Sequence, residues 1–576
     1  MKHDILDLLV ATCSAHIRAA PSHQSGSTRR SMASTYVQKH KLAQTIEKAI
    51  TEALASQPEN PYEALAAWFQ SKAGEEPAGA VPALLLSKPG VTAPLDPGFS
   101  PVVLGKKQYR EATKGCKDSI SWALPRADGC AAASIKVFPT NHKDYDASVF
   151  LAGLMIQESI WRCAATSLQL AGPKAICEAI KADFEAGGKY AFEADVMPKA
   201  CGTPDAGFPV TIVKASALMA NKDTEQICGT DATGCRLSFD LGKSDVKTVA
   251  VHNNVVLYSK DTKWDVTNPD PDYHFKIICD ELNKAKAAAV EQVPDFVCQA
   301  VGGSSTGTVS ADSDATWCDI FPNVPPAVYK EKVVNIYKRI AKEVAGDVPV
   351  KVINDGEVTA LAAVKKLNDD PEFTGSPGNI LGISMGSSEG GGYANANGNL
   401  PGWINEMCYY RLDLNPYAPT DPWTKLNHTG ISHMYLGQRG ATKLAGKVVK
   451  GLAPNLQYPH PDMCTMQHTV HAEALEAIQA AMKDPAQKKK VSQIYETVGV
   501  YLGYGLAMYT EFYGIDHVMI LGRVSKGEGG DLMMATAKKV LETDFPEIKI
   551  PQFHTADDEF KAKGQCIAAA ALPTVA

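Results

Sequence analysis

Residues 236–576 are predicted to form an α/β fold, and three observations agree on it. Short apolar runs of strand length alternate with longer amphipathic helical segments. Several of those strands run directly into Gly-rich or Asn-Asp turns. The composition is that of an ordinary globular chain, with 45% hydrophobic and 21% charged residues. A length of 576 residues exceeds one ordinary core and predicts three or four folding units.

Charge and hydropathy exclude some classes of partner. A formal charge of −7 and the lack of a long basic run argue against a nucleic-acid surface. No apolar run reaches the roughly 18 residues that a membrane helix needs, so no membrane partner is expected. The 14 cysteines are scattered and none forms a CxxC pair. Zinc ribbons and thioredoxin-type sites are therefore not expected, and a reducing, cytoplasmic setting is. Asp4 and Asp7 interrupt the apolar stretch Ile5 to Cys13, which reads as an amphipathic helix rather than a signal sequence. Arg18, Arg29 and Arg30 among serines leave an organelle transit peptide open.

Residues 34–71 read as a helical hairpin. Leu42, Ile46, Ile50 and Leu54 form one stripe, and Asn60-Pro61 supplies an N-cap and first position for a second helix carrying Leu65, Trp68 and Phe69. Two such helices bury too little surface to stand alone. The run from Tyr36 to Leu65 resembles the dimerisation and docking hairpin of the cAMP-dependent kinase regulatory subunit, a type also found on ciliary and flagellar proteins. The resemblance implies a homodimer or docking to a helical partner, with a cilium or flagellum as a further location; packing on the rest of the chain is the alternative. Residues 72–100, rich in Pro, Gly and Ala, read as a linker. Residues 101–235 read as an α+β region without a motif, with helices over 149–170 and 174–186 and a strand at Phe208 to Val213.

The informative block begins with the run Leu237 to Asp240, the turn Leu241 to Asp245, and an extended Val246 to His252. Asn253-Asn254 can close a hairpin onto Val255 to Ser259. A carboxylate at a strand end followed by a Gly-containing turn suits a hydrated magnesium ion and the phosphate tail of ATP. A helix marked by Phe275 to Ala289 leads to the strand Phe296 to Val301 and the Gly-rich stretch Gly302 to Val309. The helix Tyr329 to Val344 precedes the strand Val348 to Ile353, then Asn354-Asp355 and a helix through Leu367. The strand Ile380 to Met385 ends in Gly386-Ser387-Ser388-Glu389-Gly390-Gly391-Gly392, where closely spaced glycines let backbone N–H groups approach phosphate. A long helix through Val498 and Leu506 precedes the strand His517 to Leu521 and Gly522-Arg523-Val524-Ser525.

In this order the motifs resemble those of ROK (repressor, open reading frame, kinase) sugar kinases, of the actin and hexokinase superfamily, over about 340 residues. The resemblance implies a two-lobed actin/hexokinase-like (ribonuclease H-like) ATPase fold, with ATP and magnesium as cofactors and a small-molecule sugar as partner. Asp240-Leu241-Gly242-Lys243-Ser244-Asp245 is similar to the first phosphate motif, with Asp240 acting through the metal and Gly242, Lys243 and Ser244 near phosphate. Gly386, Ser387, Ser388, Gly390 and Gly391 correspond to the second, and Gly522 and Arg523 to the adenosine element. Asp355 corresponds to the catalytic base, although a helix-capping aspartate would stand in the same place. Ser305, Asn354, Asp355, Glu406 and His433 would surround the sugar. The match departs from the family at Lys243, Ser388, Arg523 and Tyr409, and the family's cysteine-rich zinc loop is missing, so no structural zinc is expected. The function implied is phosphorylation of a hexose hydroxyl; an inactive scaffold and a sugar-sensing regulator remain the alternatives.

Overall fold

The computed structural model describes residues 81–226, 231–243, 245–421, 428–448, 452 and 468–575. The expected hairpin of residues 34–71, the start of the expected linker and Ser244 lie outside them. Residues 81–100 carry little regular structure but are packed rather than spacer-like. Leu85, Ala93 and Phe99 are buried, and Phe99 meets Tyr501 edge-on with ring centroids 4.9 Å apart. Pro and Gly prevent regular elements here, yet the apolar side chains between them still gain by leaving water.

The next elements are α1 (Val102–Thr113), the hairpin β1 (Ser119–Pro125) and β2 (Cys130–Lys136), α2 (Tyr145–Cys163), β3 (Leu168–Ala171), α3 (Lys174–Asp183), α4 (Ala191–Ala200) and β4 (Val210–Ile212). They form a sheet of order β2-β1-β3-β4. The helix expected over 149–170 ends at Cys163, because Ala164 takes a φ of 57° and Leu168–Ala171 pairs with β1. An unbroken apolar run does not distinguish buried helix from buried strand, and tertiary pairing decided it. Leu151, Ile156, Ile160 and Trp161 of α2 share one core with Leu381, Tyr410, Tyr501 and Val518 from the last third of the chain. Residues 101–235, expected as a separate region, therefore have no core independent of the C-terminal part of the chain.

A five-stranded sheet comes next, from β5 (Cys235–Leu241), β6 (Asp245–His252), β7 (Val255–Lys263), β8 (Ala300–Ser305) and β9 (Val350–Asn354). Its order is β9-β8-β5-β6-β7, with the first three strands parallel. Asn253 and Asn254 both take positive φ, 49° and 67°, as the tight hairpin requires. Helices α5 (Pro271–Gln292) and α6 (Ile336–Ala345) pack against this sheet, and α7 (Asp355–Asn368) follows β9 without a loop. Gly302 and Gly303, expected at a strand end, lie within β8. A Cβ on Gly302 would overlap the Ala569 carbonyl, so this glycine serves close packing rather than ligand approach.

The second mixed sheet contains β10 (Ile380–Met385), β11 (Glu389–Ala394), β12 (His517–Leu521) and β13 (Gln552–His554), in the order β11-β10-β12-β13. Around it lie α8 (Gln438–Val448), α9 (His468–Met482), α10 (Pro485–Tyr509), α11 (Gly527–Asp544) and the closing α12 (Asp558–Ala569). Helices α7 and α12 join the two sheets: Gln565 Nε2 of α12 donates to the Asp355 carbonyl at 3.0 Å and to Thr359 Oγ1 at 2.8 Å. The α/β class expected from the sequence stands. Among the described residues, no helix is long and apolar enough to cross a membrane.

Candidate active site

The ends of β5, β9 and β10 converge on a cavity of about 1620 Å³. Asp240, Gly242, Lys243, Asn354, Asp355, Gly386, Ser387, Ser388, Gly390, Gly391, Glu406, His433, Gly522 and Arg523 all line it. Ser305 does not: it is fully buried behind the wall, where its Oγ accepts from the Tyr337 hydroxyl at 2.7 Å, and Thr306 and Gly307 take its place at the surface.

Asp355 is the first residue of α7, and Asn354 is the N-cap. The Asn354 carbonyl oxygen of the side chain accepts from Gly356 N–H at 2.7 Å, while its Nδ2 donates to the Gly307 carbonyl at 2.8 Å. Asp355 Oδ1 also receives Gly356 N–H, at 3.0 Å. With Asn354 capping the helix, the Asp355 carboxylate is left facing the cavity. Burial, then the negative charges of Asp240 and Asp319, push its pKa up to about 7.

Asp240 and Lys247 are cross-strand partners, and Lys247 Nζ donates to Asp240 Oδ2 at 2.6 Å. Burial works against the Lys247 charge, but Asp240 and Asp245 hold its pKa above the usual lysine range. Lys243, expected near phosphate, ion-pairs with Asp319. Arg523 Nη2 reaches Asp245 Oδ2 at 3.5 Å. A magnesium ion fits this wall: it needs only one or two carboxylates when phosphates and waters complete its shell, and Asp240 supplies one. Among the described residues, no group of three or more His, Cys, Asp or Glu side chains is placed to hold a metal by itself.

The expected phosphate hairpin is shorter than its glycines suggest. Only Gly386 to Ser388 form the turn, and Gly390 to Gly392 belong to β11. A Cβ on Gly391 would overlap Met407, and one on Gly392 the Gly356 carbonyl. A Cβ on Gly390 would meet nothing nearer than Ser384 at 4.0 Å, and one on Gly386 nothing nearer than the Ser388 carbonyl at 3.9 Å, so both leave room beside the cavity, although the Gly386 N–H itself donates to the Ser388 carbonyl at 3.0 Å. His433, expected at the sugar, is tied to this turn: its Nδ1 is 2.6 Å from Ser388 Oγ and its Nε2 2.9 Å from Arg439 Nη1. Beneath the turn, the buried Glu389 accepts from the Tyr509 hydroxyl at 2.6 Å and from the Ser432 hydroxyl.

Glu406 is placed by the region that had no legible motif. Asn405 N–H donates to the Arg162 carbonyl at 3.0 Å and Glu406 N–H to the Trp161 carbonyl at 2.9 Å, which pins the segment to the end of α2. Trp161 stacks on Tyr409 with ring centroids 3.9 Å apart. Burial, then Asp355 and Asp319, push the Glu406 pKa up to about 8. Sequence reasoning missed Asp319, Lys247 and Gln565. Asp319 had a detectable signal, a lone carboxylate between Cys318 and the apolar pair Ile320-Phe321.

No family model matches the chain, and no curated protein matches its sequence. Among solved structures it is similar to a ROK family glucokinase from Streptomyces griseus, determined with glucose and AMPPNP, at 18% identity over 58% of this chain and 98% of that one, with a TM-score of 0.42. A ROK hexokinase from Thermus thermophilus is similar at 18% identity over 58% and 96% of the chains, with a TM-score of 0.39. A hexokinase from Schistosoma mansoni with glucose is similar at 14% identity over 60% and 87%, with a TM-score of 0.39.

Proposed function

We propose that this chain is an ATP- and magnesium-dependent kinase that phosphorylates a hydroxyl of a hexose or hexose derivative. The observation that carries the reading is Asp355: a carboxylate with a pKa near 7, beside an Asn354 that serves as the helix N-cap, on the wall of a cavity that also holds Glu406 and the room left by Gly386 and Gly390. A base is most useful when its pKa lies near the working pH. Asp355 accepts the sugar hydroxyl proton as the hydroxyl oxygen bonds to the γ-phosphorus and the bond from that phosphorus to the β–γ bridging oxygen breaks, releasing ADP. Glu406 orients the sugar by accepting a hydrogen bond from a second hydroxyl. The N–H groups of Ser387 and Ser388 in the turn meet phosphate oxygens, and the missing side chain of Gly390 leaves room for them. Asp240 would hold a magnesium ion, which would supply neutralising charge for the phosphates.

A second reading, binding without turnover, draws on the Asp240–Lys247 and Lys243–Asp319 pairs, which engage two of the expected phosphate-site groups with protein partners. One experiment separates the two. Wild type and Asp355→Asn are compared for ATP affinity and for ADP release across a panel of hexoses. Loss of a general base costs about 10²- to 10⁴-fold in rate. The kinase reading requires that loss with nearly unchanged ATP affinity. A wild type that binds ATP but turns over no hexose supports the second reading, and a mutant as fast as wild type removes Asp355 from the chemistry.

A further inference from the structure

The turn that joins β10 to β11 is held from one side by the start of α8. Gln438 N–H donates to the Gly386 carbonyl at 2.8 Å, and Arg439 Nη1 donates to the Ser387 carbonyl at 3.1 Å. Gly437, at a φ of 117°, permits this approach, because a Cβ there would come within 3.1 Å of the Ser388 carbonyl carbon. In a trans peptide the N–H points opposite to the carbonyl, so fixing the carbonyls of Gly386 and Ser387 towards α8 turns the N–H groups of Ser387 and Ser388 away from it. Ser388, His433, Gln438 and Arg439 all line the large cavity.

The protons along Arg439, His433 and Ser388 have one consistent arrangement. A guanidinium carries only donors. Arg439 Nη1 lies 2.9 Å from His433 Nε2, so that nitrogen must offer its lone pair. The proton of the neutral imidazole is therefore on Nδ1, 2.6 Å from Ser388 Oγ, and Ser388 accepts that hydrogen bond. The other tautomer, and the imidazolium, would each set Nε2–H against a guanidinium N–H. The hydroxyl hydrogen of Ser388 is thus not spent on His433.

We propose that His433 and Arg439 serve the phosphate end of the cavity and not the sugar: they hold Ser388 Oγ as an acceptor, and Ser388 gives its hydroxyl hydrogen to a phosphate oxygen of the nucleotide, beside the N–H groups of the same turn. This rests on the nucleotide site of the proposed function. Ser388 touches the nucleotide, whereas His433 and Arg439 are positioning residues that act through it. Hydrogen bonds to a charged phosphate are stronger than those between neutral groups, so orienting this hydroxyl in advance favours nucleotide binding.

The test uses the full chain, with magnesium and AMPPNP as the probe in calorimetry. Ser388→Ala and His433→Leu are each expected to weaken binding about 10-fold, the loss of one hydrogen bond to a charged group. The double variant is expected to bind no more weakly than Ser388→Ala alone, because His433 acts through the Ser388 hydroxyl. His433→Asn should restore affinity, since its Nδ2 stands where the imidazole Nδ1 stood and donates to the same oxygen. In turnover, the KM for ATP rises in His433→Leu while the KM for hexose stays. Wild-type AMPPNP affinity in His433→Leu, a rise in the hexose KM alone, or losses that add in full in the double variant would each overturn the proposal. Neutron diffraction of the wild type, which a folding defect in a variant does not affect, should place a deuteron on His433 Nδ1, and a deuteron on Nε2 overturns the relay. A wild type that binds AMPPNP with these variant effects but phosphorylates no hexose leaves the proposal standing and removes the kinase reading.

Discussion

Lys247 and Asp240 face each other across neighbouring antiparallel strands, ammonium to carboxylate at 2.6 Å, at the point where the first strand of the large sheet enters the cleft. Asp240 is only 3% exposed. Removing one member of such a pair strands the other charge in a poorly solvated place. Lys247→Met is expected to lose roughly 3 kcal/mol of stability. The double variant Lys247→Met/Asp240→Asn should recover part of it, because the Asp240 charge is then no longer stranded, while Asp245 keeps Arg523 beside it. Urea denaturation of the four proteins of this cycle checks it; equal stability of wild type and Lys247→Met would mean the pair is solvated after all.

The pH dependence of stability has a sign that Glu389 sets in part. Burial pushes its carboxyl up to about 7, against the hydroxyls of Ser432 and Tyr509 that donate to it. An unfolded Glu titrates near about 4.3, so the folded protein keeps a proton that the unfolded chain releases. Stability from this group therefore falls as pH rises from about 4.3 to about 7, and is level above that. Glu389→Gln is expected to flatten the decline, measured as denaturation midpoints between about pH 5 and about pH 8. A decline as steep as that of wild type would mean that other carboxylates carry the slope.

Two neighbouring glycines should respond in opposite ways to the same added methyl. Gly392→Ala would drive its Cβ into the Gly356 carbonyl at the start of the helix that carries Asp355, and is expected to cost about 1–3 kcal/mol. Gly390→Ala has open space around it, the nearest atom being Ser384 Cβ at 4.0 Å, so the fold should tolerate it. Its methyl would instead stand between the backbone and a phosphate. The expected outcome is near wild-type melting with weaker ATP binding by calorimetry; ATP affinity equal to wild type would take Gly390 out of the phosphate site.

The N-terminal stripe that includes Ile50 lies outside the described residues, and its expected role is self-association or binding of a partner helix. Ile50→Asp would put a charge into that seam and weaken association by several kcal/mol. Molecular mass by light scattering reports it. A monomeric wild type from which no partner helix is recovered would discard the hairpin's expected role.

The sequence alone was enough to place the hairpin around Asn253-Asn254, the strands near 237–240, 348–353, 380–385 and 517–521 and several of the helices between them, since alternation of apolar runs and the Asn-Asn turn are local signals; it did not show α8, α9, α11, β11 or β13. It also brought most of the expected site residues to one cavity, because strand ends of a sheet converge whatever the side chains beyond them. Three things were decided only by tertiary structure. The division of glycines into those that leave room beside the cavity, as Gly386 and Gly390 do, and those that permit close packing, as Gly302 and Gly392 do, depends on which neighbour faces each one. The partners of Lys243 and Lys247 depend on where Asp319 and Asp240 fall across a strand register and a loop, and neither pairing has a signature in local spacing. The role of residues 101–235 was hidden for the same reason: Trp161 holds Glu406 through a backbone hydrogen bond between positions far apart in the chain, and a contact made by a main-chain carbonyl leaves no mark on residue type.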